Sequence, residues 1–340
     1  MTSSRPRSRN SYSMSGISVY RDGMALPDFL VIGAPKAGST AVHAALTGHP
    51  QLFLSTPKEP KFFLSDGTPP PRERHRGPGD GHSRQEWVWK REDYERLFDA
   101  APPGVLKGES TPFYLWDREA HVRIARALPD VRLVAVVRDP VDRAYSNWVH
   151  LRSDGLEPEA DFLTACRLEE QRAAAGWAPF WRYLELGRYG EQLAHLFEHV
   201  DRERVHVIRY RELVDAPART LDGIAAFLGV ATGVVTTVPA SNTHGWADDT
   251  PTNSALRRAI RAGAHAGRHL PPQAWRRRLE RPLVRALQRG DEPRPRLSPA
   301  VRRQLLPAFD RDVHRLQDLL DRPFDDWLSD AGRGSFSARR

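Results

Sequence analysis

The sequence predicts an α/β protein: a parallel β-sheet flanked by helices on both faces, with a helical C-terminal extension. Three observations predict it. Phe29-Leu30-Val31-Ile32 and Arg132-Leu-Val-Ala-Val-Val137 are short continuous apolar runs, the pattern of strands buried on both faces. Each run meets a turn signal and then a helical stretch: Gly33, Pro35 and Gly38 before Ala41 to Leu46, and Asp139-Pro140 before Val141 to Leu151. Helical segments separate the strands, so the connections are crossovers and the sheet is parallel.

Taken in order, residues 1–27 are Ser/Arg-rich and aperiodic, which predicts a disordered tail. Residues 28–330 are expected to form one domain, and 331–340 a flexible tail. Gly67 to His82 is Pro, Gly and charge with little to bury, a surface loop. Val105 to Glu109 is a weaker strand and Arg204 to Tyr210 (RVHVIRY) a further one. Helices are expected at 91–99, 117–128, 160–175, 187–199 and 216–228, the last opening at Ala216-Pro217. Region 253–290 reads as basic and helical: from Asn253 to Arg289 there are ten arginines against one acid, Glu280. It fits a solvated helix face or a surface turned to an acceptor or membrane.

At 340 residues, 40% hydrophobic and 28% charged, the chain can bury a sizeable core. No run approaches the ~18 apolar residues of a membrane span. The N-terminus, with Arg5, Arg7 and Arg9 among serines, lacks the apolar stretch of a secretory signal. The expectation is a soluble cytoplasmic protein. A lone cysteine, Cys166, excludes an internal disulfide and a cysteine-based structural zinc site. The net charge of +8 favours an anionic partner. Only five of the 51 basic residues are lysines (Lys36, Lys58, Lys61, Lys90, Lys107), so each marks a place where a compact point charge replaces arginine's planar fork.

The first strand runs into Gly33-Ala-Pro-Lys36-Ala37-Gly38-Ser39-Thr40 at the start of a helix. Outward backbone N–H groups, the helix dipole and Lys36 together suit an anion, and Lys36 can reach a phosphate oxygen. The turn is P-loop-like, but in the nucleotide P-loop the lysine follows the last glycine, and here it precedes it. That order weighs against an ATPase or kinase.

The loop is accompanied by Lys58-Glu59-Pro-Lys61-Phe62-Phe63 and by Val137-Arg138-Asp139-Pro140 with Ser146 beyond it. In these motifs the chain resembles the sulfotransferases that use 3′-phosphoadenosine 5′-phosphosulfate (PAPS), especially bacterial enzymes akin to heparan sulfate O- and N-sulfotransferases. The resemblance runs over roughly residues 28–328, taking in Gly187 to Leu193, Val207 to Leu213 and Leu297 to Leu328 with Trp327. It implies that Lys36, Ala37, Gly38, Ser39 and Thr40 wrap the 5′-phosphosulfate and that Arg138 and Ser146 grip the 3′-phosphate. A guanidinium fork suits that grip. The reaction it implies is in-line sulfuryl transfer to a hydroxyl, less readily an amine, of a carbohydrate, lipid or small metabolite. A sulfuryl group carries one less negative charge than a phosphoryl group, so the chemistry does not require a metal. Lys36 then faces the leaving oxygen, and by the resemblance Glu59 is the catalytic base. The paired phenylalanines would seat the Glu59 segment.

Other readings accompany these. Lys58 or Lys61 could simply pair with Glu59, and Arg138 with Asp139. His43 and His49 flank the loop helix but match no catalytic-histidine motif. Ser110 stands where many relatives carry lysine, and Lys107 falls on the other face of that strand. Trp246, Arg257 and Arg258 are loose candidates for the cofactor's 3′ side, and Trp87, Trp89, Trp177 and Trp181 offer stacking faces. The rival functions are a P-loop phosphotransferase and a non-enzymatic protein binding nucleic acid or membrane. No recognised nucleic-acid motif accompanies the basic region, so nucleic acid is not an expected partner.

Overall fold

The computed structural model describes residues 26–69, 87–239, 250–267, 282 and 295–329. The expected tails at 1–25 and 331–340, most of the 67–82 loop and nearly all of 268–290 lie outside the described residues. The chain builds β1 (Phe29–Gly33), α1 (Ser39–Thr47), β2 (Leu52–Leu54), α2 (Arg91–Glu95), β3 (Leu106–Ser110), α3 (Arg118–Ala127), β4 (Arg132–Val137) and α4 (Pro140–Ser153). It continues through α5 (Phe162–Arg167), α6 (Glu169–Ala174), α7 (Tyr189–Phe197), β5 (Val205–Arg209), α8 (Tyr210–Asp215) and α9 (Pro217–Leu228). Helices α10 (Pro251–Gly267), α11 (Pro299–Leu305) and α12 (Asp310–Leu320) follow.

The five strands are parallel, in the order β2-β3-β1-β4-β5. Period-two alternation divides their side chains between two cores. Leu30, Ile32, Leu133, Ala135 and Val137 face one layer with Ile124, Trp148, Leu193 and Leu316, while Phe29, Val31, Val134 and Val136 face the other with Val42, Ile224 and Leu228. A one-residue slip of register would exchange these sets. Gly108 permits the pairing of β1 with β3, because a Cβ there would come 2.2 Å from the Phe29 ring.

Two expectations are corrected. The helix expected over 160–175 is two helices meeting at Leu168, and the break turns Glu169 inward to accept from the Leu184 and Glu185 amides at 2.5 and 3.0 Å. The edge strand β2 was not expected, since three residues are too few for a periodic signal. No helix among the described residues is long and apolar enough to cross a membrane.

From β1 the chain leaves through α1 toward β2, and from β4 it leaves through α4 toward β5 on the opposite side. Neighbouring strands whose connections diverge open a crevice at their carboxyl ends, the usual ligand position in an open α/β sheet. Loop 33–38 and Arg138 both occupy that edge.

Candidate active site

The loop after β1 is held from below. The Ala34 amide donates to the Val136 carbonyl at 2.6 Å, and the buried Ala34 and Ala37 seat the loop on the core. Lys36, half-buried, takes a left-handed backbone with φ 64°. Gly38 caps α1 with φ 107°, and a Cβ on it would lie 2.8 Å from the Tyr210 ring. A glycine N-cap brings no side-chain acceptor, and the first turn of α1 carries no acid. The positive end of the helix dipole is therefore not neutralised locally, as an anion cradle requires. Ser39 is buried and Thr40 exposed.

Arg138 continues β4 into the same crevice. Its Nη1 donates to the Lys36 carbonyl at 3.4 Å, and its guanidinium lies 4.8 Å from the centre of the Tyr210 ring. The alternative pairing of Arg138 with Asp139 is not what engages Asp139: that carboxylate caps α4 through the Val141 and Asp142 amides and binds Arg302 of α11 at 2.5 Å. Ser146 lies half-buried within α4, two turns from the cap.

The Glu59 segment is strained and clamped. Glu59 and Lys61 both have left-handed backbones, φ 63° and 62°, each costing on the order of 1–3 kcal/mol. The Lys61 amide donates to Thr111 Oγ1 at 3.3 Å and the Phe63 amide to the Tyr114 hydroxyl at 3.2 Å. Phe62 stacks on Tyr94 at 4.1 Å, and Phe63 meets Tyr94 and Tyr114 edge-on. Glu59 is only 5% exposed and Lys61 3%. The Lys58 ammonium pairs with Glu59 Oε1, one of the two lysine pairings expected.

Beneath this segment sits Glu109, wholly buried, accepting from the Tyr94 and Tyr114 hydroxyls at 3.2 and 2.7 Å and from Thr111 Oγ1 at 2.8 Å. Burial raises its carboxyl to about 7 against these hydrogen bonds, and the nearby Glu59 charge raises it further. His43, on α1, hydrogen-bonds Ser110 Oγ through Nδ1 at 2.8 Å. Burial lowers its imidazole to about 4, with Lys58 lowering and Glu59 raising it. His43 thus feels the charges of both Lys58 and Glu59, which helix periodicity alone did not indicate. His49 is structural, binding the Ala231 carbonyl at 2.9 Å.

Tyr210, Glu109 and His43 are the residues that sequence reasoning undervalued. Arg257 is buried and Arg258 exposed on α10; Trp246 lies outside the described residues. Trp181 belongs to the core, and Trp177 is half-buried under the Arg172 guanidinium at 4.7 Å. Trp87 and Trp89 are half-buried beside Lys61 and Lys90, at 5.5 and 5.2 Å, and the Val88 amide ties their strip to the Pro60 carbonyl at 3.0 Å.

The family model described as "Sulfotransferase family" matches residues 27–233. The chain belongs to the sulfotransferase family. Among curated proteins the chain is similar to human heparan sulfate glucosamine 3-O-sulfotransferase 3B1, 29% identical over 222 residues, 64% of this chain and 50% of that protein. It is also similar to mouse bifunctional heparan sulfate N-deacetylase/N-sulfotransferase 4, 28% identical over 219 residues, covering 60% of this chain and 22% of the relative. The chain thus spans half the length of the first and about a fifth of the second. A solved sulfotransferase from Alicyclobacillus acidocaldarius superposes with a TM-score of 0.68 at 27% identity, covering 90% of this chain and 100% of that one.

Proposed function

We propose that this chain transfers the sulfuryl group of PAPS to a hydroxyl of a carbohydrate, lipid or small metabolite, with residues 28–330 acting as one catalytic unit. One observation carries the reading. Two separate cationic grips, the Lys36 loop at the start of α1 and Arg138 at the end of β4, flank one crevice and touch at 3.4 Å through the Lys36 carbonyl. Two grips suit a ligand phosphorylated at both ends, and Gly38 leaves room for the Tyr210 ring that stacks on the Arg138 guanidinium between them. The donor set therefore fits PAPS: Lys36 through Thr40 for the 5′ end, Arg138 and Ser146 for the 3′-phosphate.

PAPS supplies an activated sulfuryl group, whose bond to the 5′-phosphate breaks as the acceptor oxygen bonds to sulfur. The Lys36 ammonium supplies the cation where the departing oxygen gains charge. The Glu59 carboxylate accepts the acceptor's proton, and its clamped turn holds it in place. Because the relatives named above are heparan sulfate enzymes by name, a glycan is the first acceptor to try, and the Trp87 and Trp89 faces beside the Glu59 turn suit a sugar ring.

The test compares thermal stabilisation by 3′-phosphoadenosine 5′-phosphate with that by ATP and magnesium. At ~100 times its dissociation constant the bisphosphate should add about 2.7 kcal/mol. Equal stabilisation by ATP with magnesium would favour the phosphotransferase and sink this reading. Labelled PAPS incubated with a glycan mixture or a cell extract, followed by mass spectrometry, then identifies the acceptor.

A further inference from the structure

Away from the crevice, the end of α7 gathers three metal-ligating side chains. The last turn tightens, the Glu198 amide donating to the His195 carbonyl at 3.2 Å and the His199 amide to the Leu196 carbonyl at 3.0 Å. One ligand atom from each of His195, Glu198 and His199 lies within 4.8 Å of the others, and the two imidazole rings are 4.9 Å apart. Behind them, on α3, His121 is completely buried. Its Nε2 lies 3.0 Å from the Leu115 carbonyl and its Nδ1 lies 3.0 Å from Nδ1 of His195.

These contacts settle the tautomers in sequence. A carbonyl only accepts, so His121 carries its proton on Nε2. The ring is completely buried and its nitrogens meet a carbonyl and an imidazole rather than a carboxylate, so it is held neutral and its Nδ1 is an acceptor. His195 must then donate from Nδ1, and the lone pair it has left is on Nε2. A histidine with one nitrogen donating to a buried partner and the other bearing a lone pair is how proteins prepare an imidazole for a metal.

We propose that His195, Glu198 and His199 form a binding site for a divalent transition-metal cation of the zinc class, with His121 as the positioning residue that fixes the His195 tautomer. Two imidazoles and a carboxylate match the preferences of Zn²⁺, Co²⁺ and Ni²⁺. His195 is half-buried and the other two ligands are exposed, so the remaining coordination positions go to water. None of these residues belongs to the loops proposed for sulfuryl transfer, and the inference stands independently of that reading. The bound ion would secure the C-terminal end of α7, whose N-terminal end is already held by Asp312 of α12 through the Gly190 and Glu191 amides at 2.9 and 2.8 Å.

The experiment is calorimetric titration of ZnCl₂ into the full-length, tag-free protein after chelator treatment. The expected result is a one-to-one component of micromolar affinity that weakens at least about tenfold in His195→Ala and in His199→Ala. His121→Ala should weaken it severalfold, and His121→Asn, whose amide oxygen can accept the His195 proton, should restore most of it. Should His121→Ala fail to fold by circular dichroism, the exposed His199→Ala still decides the site and His121→Asn against His121→Gln decides the relay. Absence of saturable binding in the parent, or the same affinity in the His195→Ala/His199→Ala double variant, overturns the site. Parental affinity in a folded His121→Ala variant overturns the positioning role.

Discussion

The guanidinium of Arg138 lies over the ring of Tyr210 at 4.8 Å, and the same ring stands 2.8 Å from where a Cβ on Gly38 would be. One tyrosine thus orients the cation at the end of β4 and limits what can stand at the start of α1. The stack holds the guanidinium plane while leaving its edge available to a phosphate, which a flexible lysine would not reproduce.

Arg138→Ala is therefore expected to weaken bisphosphate binding more than it slows the reaction. Loss of a charge-assisted contact costs on the order of 1.5–3 kcal/mol, or roughly ten- to hundredfold in affinity. Tyr210→Leu should produce a smaller loss, about 0.5–1 kcal/mol, through the missing stack. Calorimetry with 3′-phosphoadenosine 5′-phosphate measures both. If saturating PAPS fails to restore most of the turnover in Arg138→Ala, the arginine has another role.

Gly38→Ala addresses the other contact. Alanine must adopt φ 107° and displace the Tyr210 ring, so stability should fall by about 1–3 kcal/mol together with bisphosphate affinity. Adding Tyr210→Leu removes the clash but not the backbone strain, and should recover only part of the loss. A Gly38→Ala protein with the parental melting temperature would contradict this account of the loop.

The elements that read clearly in the sequence are those whose cause is local. Phe29 to Ile32 and Leu133 to Val137 are apolar throughout because both faces are covered, and Gly38 and Pro140 mark helix starts by their own backbone preferences. The partnerships that shape the site are not local. Ser110 and His43 are 67 positions apart and Arg302 and Asp139 163, so no window of sequence contains either pair. Glu109 looked like one more strand residue, and its three hydroxyl donors come from three different elements or turns. His43 was legible as a helix residue but not as one bonded to Ser110, because that depends on how α1 packs beside β3.

The buried Glu109 predicts a pH dependence of stability. Its folded value of about 7 lies above the ordinary 4.5, so the native state holds the proton more tightly than the unfolded chain. Its stabilising contribution is complete below about 4.5 and is lost as pH rises through 7. Between pH 4.5 and 8.5 the parent should lose on the order of 3 kcal/mol relative to Glu109→Gln. Asp142 and Asp312, both raised to about 6 by burial, titrate in parent and variant alike and cancel in the difference. Parallel stability profiles of the two proteins in urea titrations would show that Glu109 titrates alike in the folded and unfolded chain.

Glu59→Gln separates a catalyst from a clamp. The residue is buried, beside the Lys58 ammonium, on a backbone held by Thr111 and Tyr114, so a glutamine of the same shape should keep the turn. What it removes is the carboxylate that would accept the acceptor's proton. Bisphosphate affinity should stay within about threefold, a difference of ~0.65 kcal/mol. Turnover should fall by roughly 10²–10⁴, the usual effect of losing a general base. A purely structural pairing with Lys58 predicts the reverse pattern: a lowered melting temperature from losing the partner of the half-buried Lys58 ammonium, with the rate per folded molecule nearly unchanged. A folded Glu59→Gln protein that keeps more than about a tenth of the parental rate, measured where chemistry limits turnover, removes Glu59 from the role of base and turns attention to His43, the proton-binding group on which the Lys58 and Glu59 charges both act.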